Sequence, residues 1–79
     1  MINIKDKKLL KKFGKNVQIL RKKAGLTQEN LANDADIPLS QIGRIERGEI
    51  NTTISTAYVL SKALKVDLSD LFRFQNSKS

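Results

Sequence analysis

In the run from Pro38 to Gly48, PLSQIGRIERG, Gln41 and Arg44 stand three residues apart, and Ile42 and Ile45 keep the same interval beside them. On a helix this spacing puts the isoleucines on one face and leaves Leu39, Ser40, Gln41 and Arg44 for the other. The outer set suits the reading of flat heterocycle edges. A guanidinium donates to both acceptors of guanine at once, and a carboxamide can donate to and accept from adenine. Ser40 is permissive towards either. Leu39 could meet a thymine methyl group or pack against the turn before it. Arg44 could equally contact a phosphate or stand in solvent. Gly43 removes a side chain beside the outer face, either to clear a groove or to let this helix pack on the one before it.

A helix that reads bases must also be held in register on the phosphates. Thr27 and Gln28 begin the preceding helix, where free backbone N–H groups and the positive end of the helix dipole attract anions. Arg47 lies at the end of the reading helix. Asn51 and Thr52 follow in the next loop and could donate to the other side of the groove. For each of these polar residues ordinary solvation is the alternative. Arg21 and Glu46 are a different case. If the first and third helices pack, the two can form a bidentate, partly buried ion pair that orients the reading helix; otherwise they are two unconnected surface charges. The pair need not add net stability, because desolvation offsets the attraction.

The remaining composition excludes most catalytic chemistry. The chain has no Cys and no His, which removes thiolates, disulfides, imidazole bases and the commonest metal ligands. The carboxylates are scattered, and no glycine-rich phosphate loop is present. No catalytic residue, metal, cofactor or small-molecule ligand is expected. No apolar run approaches the ~18 residues of a membrane span, and the lysine-rich start has no signal-peptide core, so the expectation is a cytoplasmic protein without membrane contact. The formal net charge is +7, and its placement is uneven. All of the excess lies before residue 24, in Lys5, Lys7, Lys8, Lys11, Lys12, Lys15, Arg21, Lys22 and Lys23, against Asp6 alone, and the rest of the chain is about neutral. Such a segment suits a polyanion, although a solvated lysine face reads the same way. The stretch 27–47 carries Arg44 and Arg47 against Glu29, Asp34, Asp36 and Glu46. Positive potential must then come from Lys22 and Lys23 or from the N-terminal arm.

With 79 residues a single domain is expected, with an arm over 1–6, five helices over 7–74 and a frayed tail over 75–79. Helix 1 is predicted from Lys7 to Ala24, because Leu10, Phe13, Val17, Leu20 and Ala24 make one apolar stripe, widened by Leu9. Gly14 inside it allows close approach of another helix, and Gly25 ends it. Helix 2 starts at the Thr27 cap and buries Leu31, Ala32 and Ala35. Asn30 stands where a capping-box Glu would, so a weaker cap is expected. Asp36-Ile37-Pro38 form the turn, and helix 3 covers Leu39 to Arg47, stopped by Gly48. Thr53 caps helix 4, which runs to Leu64. Asp67 starts helix 5, with Asp70 as the capping-box partner and Val66, Leu68, Leu71 and Phe72 on its apolar side. The fold class is all-α.

The ordered set LR…GLTQ, LA, IGRIERGE and AL…DLF, spread from about Phe13 to Phe72, resembles the phage-repressor-like helix-turn-helix family (the Cro/cI or XRE type). The resemblance implies a compact five-helix, lambda-repressor-like domain with helices 2 and 3 as the DNA-binding motif. By position it implies that Gln28 clamps a phosphate, that Leu39, Ser40, Gln41 and Arg44 read bases, and that Arg21 pairs with Glu46. It also implies a homodimer on a palindromic operator, with contacts near helix 5 through Val66, Leu68, Leu71, Phe72 and Phe74. Three positions depart from the pattern: Asn30 replaces the usual Glu, Thr52 stands where proline is frequent, and Glu49 occupies a place commonly basic or polar, where a carboxylate would repel phosphate.

The resulting expectation is a sequence-specific double-stranded DNA-binding regulator, a repressor or autoregulator acting as a dimer. Roles within that class include a phage-type repressor, the controller of a restriction–modification operon, and an antitoxin; a toxin or RNA polymerase would be the protein partner. The competing class is a protein-interaction module that kept the fold and lost DNA, a reading favoured by Glu49 and the acidic motif. Steep salt dependence separates the two.

Overall fold

The computed structural model describes residues 6–74. Most of the N-terminal arm expected over 1–6 and the whole tail expected over 75–79 lie outside the described residues. Four α-helices follow in order, α1 (Lys7–Lys23), α2 (Gln28–Ala35), α3 (Leu39–Glu46) and α4 (Ile54–Leu64), and a short 3-10 helix, Leu68–Phe72, closes the fold. Among the described residues there is no strand.

Side-chain capping starts three of these helices. Asp6 Oδ1 accepts from Leu9 N (3.1 Å) at the head of α1, and Thr53 Oγ1 accepts from Thr56 N (3.1 Å) at the head of α4. At α2, Thr27 Oγ1 accepts from Asn30 N (3.0 Å) while Asn30 Oδ1 accepts from Thr27 N (3.1 Å). The capping box is therefore complete, the carboxamide oxygen of Asn taking the backbone N–H that a Glu would have taken. Pro38 precedes α3 with no side-chain cap, and its carbonyl accepts from Gln41 and Ile42.

Each of the four α-helices ends in the same paired backbone bonds, one N–H reaching back five residues and its neighbour three, the arrangement that satisfies last-turn carbonyls. Its pivot residue needs positive φ. Gly25 and Gly48 supply it at 75° and 73°, as their sequence positions indicated. Asp36 and Lys65 supply it at 56° and 59° without being glycine.

The fifth helix is not an α-helix, contrary to the sequence expectation. Asp70 Oδ2 does accept from Asp67 N (3.0 Å), but Asp70 N bonds the Asp67 carbonyl at 2.9 Å, the i to i+3 closure of a 3-10 turn. The segment spans five residues before Arg73 leaves helical geometry. It is too short for propagation to offset the cost of nucleating an α-helix.

α1 lies against α3 and the 3-10 helix, α2 against α3 and α4, and α4 against the 3-10 helix. Their shared core is Phe13, Val17, Leu31, Ile42, Ile45, Leu60, Leu64 and Leu71, filled in by Ala32, Ala35 and Ala57. Each large apolar side chain so buried contributes about 1.5–3 kcal/mol. Of the predicted α1 stripe, Ala24 is exposed and Leu9 half exposed. Asn16 is buried among these apolar neighbours because its Nδ2 donates to Asp70 O (2.9 Å) and Leu71 O (2.8 Å), tying the 3-10 helix to α1.

Candidate nucleic-acid interface

α3 is held from behind by three buried side chains, Ile42, Ile45 and Glu46. Leu39, Ser40 and Arg44 are exposed and Gln41 is half-buried. The predicted outer row therefore lies together on one face of one helix. Gly43 is buried, but not against α2: a Cβ there would meet Arg47 Nη1 at 3.0 Å. The glycine makes room for the Arg47 side chain to lie back along its own helix, in place of the second of its two readings, packing on the preceding helix.

α1 fixes where α3 sits. A Cβ on Gly14 would run into the carbonyl oxygens of Ile45 and Glu46, so α1 crosses the C-terminal end of α3 at backbone distance. A Cβ on Gly48 would stand 2.7 Å from Lys11 Cα, so the same crossing presses on the turn after α3. Beside it, Arg21 and Glu46 form the expected ion pair. Arg21 Nε and Nη2 donate to the two carboxylate oxygens at 2.7 and 3.1 Å, with the residues only 7% and 8% exposed. Arg21 Nη1 also donates to Leu26 O (2.9 Å), and Gln28 Nε2 donates to Glu46 Oε1 (2.9 Å). One carboxylate on α3 thus collects donors from α1 and from the start of α2. The sequence pointed to the pair but not to Gln28 as its third member. Gln28 retains a second amide hydrogen for an outside acceptor.

The other expected phosphate contacts divide. Thr27, Lys22, Lys23, Arg47 and Asn51 are exposed. Thr52 is not available through its side chain. Its Oγ1 is buried with no hydrogen-bond partner, and the residue lines an apolar cleft of about 170 Å³ with Leu9, Phe13, Ile54, Phe72 and Phe74. A buried hydroxyl does not reach an outside phosphate, which corrects its assignment as a side-chain donor.

Glu49 follows the turn at Gly48, where its N–H caps the Arg44 carbonyl at 2.9 Å. Arg47 Nε and Nη2 donate to its carboxylate at 2.8 and 3.3 Å, and Arg44 Nε lies 3.9 Å away. The hydrogen bond from Arg47 holds the Glu49 carboxyl below the usual carboxylate range and raises Arg47 in turn. The repulsive carboxylate expected here is therefore already paired.

Of the residues expected at a dimer contact, Leu71 is wholly buried within the chain and belongs to the core, because Asn16 draws the 3-10 backbone inward. Val66, Leu68 and Phe74 are half-buried against that core. Phe72 is 52% exposed, its ring tilted at 36° to that of Phe13 with 5.3 Å between centroids. Leu9 and Ile54, absent from the expected set, extend the same apolar surface; their signal was the apolar residue at each helix start.

The helix-turn-helix family model HTH_3 matches residues 17–71, from within α1 to the 3-10 helix. The control protein C.SmaI of Serratia marcescens is 37% identical over 67 residues, covering 85% of this chain and 80% of that one. The restriction-modification controller C.AhdI of Aeromonas hydrophila superposes with a TM-score of 0.78 at 36% identity, covering 80% of this chain and 96% of that one. The controller C.Esp1396I, solved as a tetramer in complex with its natural 35 base-pair operator, superposes with a TM-score of 0.75 at 33% identity, covering 81% and 84% of the two chains. The chain belongs to the HTH_3 family of helix-turn-helix DNA-binding transcription regulators.

Proposed function

We propose that this regulator is a controller-type protein that binds a palindromic operator as a homodimer, with α3 in the major groove. The observation that carries this reading is the division of α3. Ile42, Ile45 and Glu46 fix it to the scaffold, while Leu39, Ser40, Gln41 and Arg44 project from the opposite face. Similarity to controllers along most of both chains favours that role over a phage-type repressor or an antitoxin. Arg44 takes a guanine, Gln41 an adenine, and Leu39 and Ser40 the neighbouring base edges. Gln28, Thr27, Lys22, Lys23, Arg47 and Asn51 fix register on the backbone. A second copy covers the surface around Phe72, Phe74, Leu9 and Ile54, with Val66 and Leu68 at its margin. That pairing sets two half-sites about one helical turn, ~34 Å, apart.

Selection of bound duplexes from a random pool tests this reading directly. The expected product is a palindrome with that spacing. A folded protein that enriches no sequence would instead support an interaction module that no longer reads DNA.

A further inference from the structure

We infer that Glu49 is an intramolecular stand-in for DNA phosphate, occupying Arg47 in the unbound protein and so setting how strongly the chain holds DNA of any sequence. The inference rests on the reading above, that the outer face of α3 meets DNA, and adds to it a control on affinity.

Three features of the α3 C-terminus make the pair. The turn at Gly48 returns the chain so that Glu49 N caps the Arg44 carbonyl, which sets the carboxylate beside the last turn of α3. Gly43 leaves open the strip of helix surface on which the Arg47 guanidinium lies. The guanidinium then donates through Nε and Nη2 to the two carboxylate oxygens, at 2.8 and 3.3 Å. This is the two-point geometry in which a guanidinium holds a phosphate. The partners remain 60% and 48% exposed, so the pair is in water and exchangeable.

The consequence follows from charge accounting. An arginine that meets DNA from solvent neutralises one phosphate and releases its counterion. Arg47 starts out neutralised, so reaching a phosphate means leaving Glu49, and Glu49 is then left beside a polyanion. Both effects weaken the sequence-independent part of binding, and neither touches a base edge. The factor is therefore the same on operator and on bulk DNA. It keeps more of the protein free, so that operator occupancy follows the protein's concentration.

The test compares the wild-type chain, Glu49→Gln, Arg47→Gln and the double variant on two duplexes, the selected site and a scrambled sequence, across a salt series. Glu49→Gln is expected to tighten binding to both duplexes alike, by about threefold near physiological salt, the scale of one exposed ion pair. It should also steepen the slope of log affinity against log salt by about 0.9, one further phosphate. In the Arg47→Gln background the same change should gain clearly less. Unchanged affinity for the scrambled duplex would overturn the inference. So would an undiminished gain without Arg47, which would make Glu49 only a diffuse repulsive charge. Loss confined to the selected site would overturn it too, by making Glu49 a brace that aims Arg44 at its base. Equal wild-type affinity for the two duplexes would overturn the base-reading role of α3, while the scrambled-duplex slopes still decide the role of Glu49.

Discussion

Glu46 and Glu49 stand on either side of the same helix end, and each takes two hydrogen bonds from an arginine. The local geometry of the two pairs is nearly the same, but their surroundings are not. Arg21–Glu46 is enclosed by α1, α2 and α3, and its spare valences are taken by Leu26 O and Gln28. Arg47–Glu49 spans one exposed turn. A buried pair has no competitor for either charge, so it fixes geometry and is intolerant of losing one member. An exposed pair competes with water, salt and any incoming anion, so it stabilises the fold little and can be exchanged. The same two side-chain types thus make a strut in one place and a replaceable contact in the other, and the difference is burial.

Removing one member of the strut should give the largest effect. Glu46→Ala leaves Arg21 charged and enclosed, with an expected loss of about 3–5 kcal/mol in chemical denaturation. Replacing both Arg21 and Glu46 by apolar residues of similar volume should cost much less, and a double replacement as damaging as the single would show that the pair adds net stability. Arg44→Ala comes next, at about 1–3 kcal/mol of binding to the selected site with relaxed choice at one base pair. Equal loss on every sequence would place Arg44 on a phosphate, beside Arg47. Thr52→Val is smaller and of opposite sign. It removes a buried hydroxyl without a partner at nearly constant shape, so the chain should gain about 1 kcal/mol and keep its DNA affinity. A melting temperature that falls, with weaker DNA binding, would mean that the hydroxyl is used after all. Glu49→Gln should change stability least, leaving the melting temperature nearly where it is, and a large drop would place its pair with the strut.

Much of this could be read along the chain because it depends on near neighbours in sequence. The apolar stripe of α1, the Thr27 and Thr53 caps, the glycine ends at Gly25 and Gly48, and the two faces of α3 all follow from helical periodicity and turn chemistry acting over three to five residues. The Arg21–Glu46 pair was one of two readings of those charges, and the packing of α1 on α3 decided it. Where the readings failed, a second element decided. Leu71 carried the same apolar signal as Phe72, but Asn16 on α1 takes the 3-10 backbone and turns Leu71 inward while Phe72 stays out. Thr52 looked like a loop donor until the tertiary packing buried its hydroxyl. Asp36 and Lys65 take positive φ with no glycine to announce it, within the paired backbone bonds that close their helices.

The sequence by itself determined which residues are helical and which face of α3 is left to solvent, because these are local and periodic properties of the chain. Only the tertiary structure decided which charges are spent inside the molecule. Gln28 and Arg21 are drawn to Glu46, and Arg47 to Glu49, by distances that exist only once α1 crosses α3 and the chain turns back at Gly48. A charge can be counted from the sequence, but whether it is free to meet a partner depends on what lies within a few ångströms of it in space.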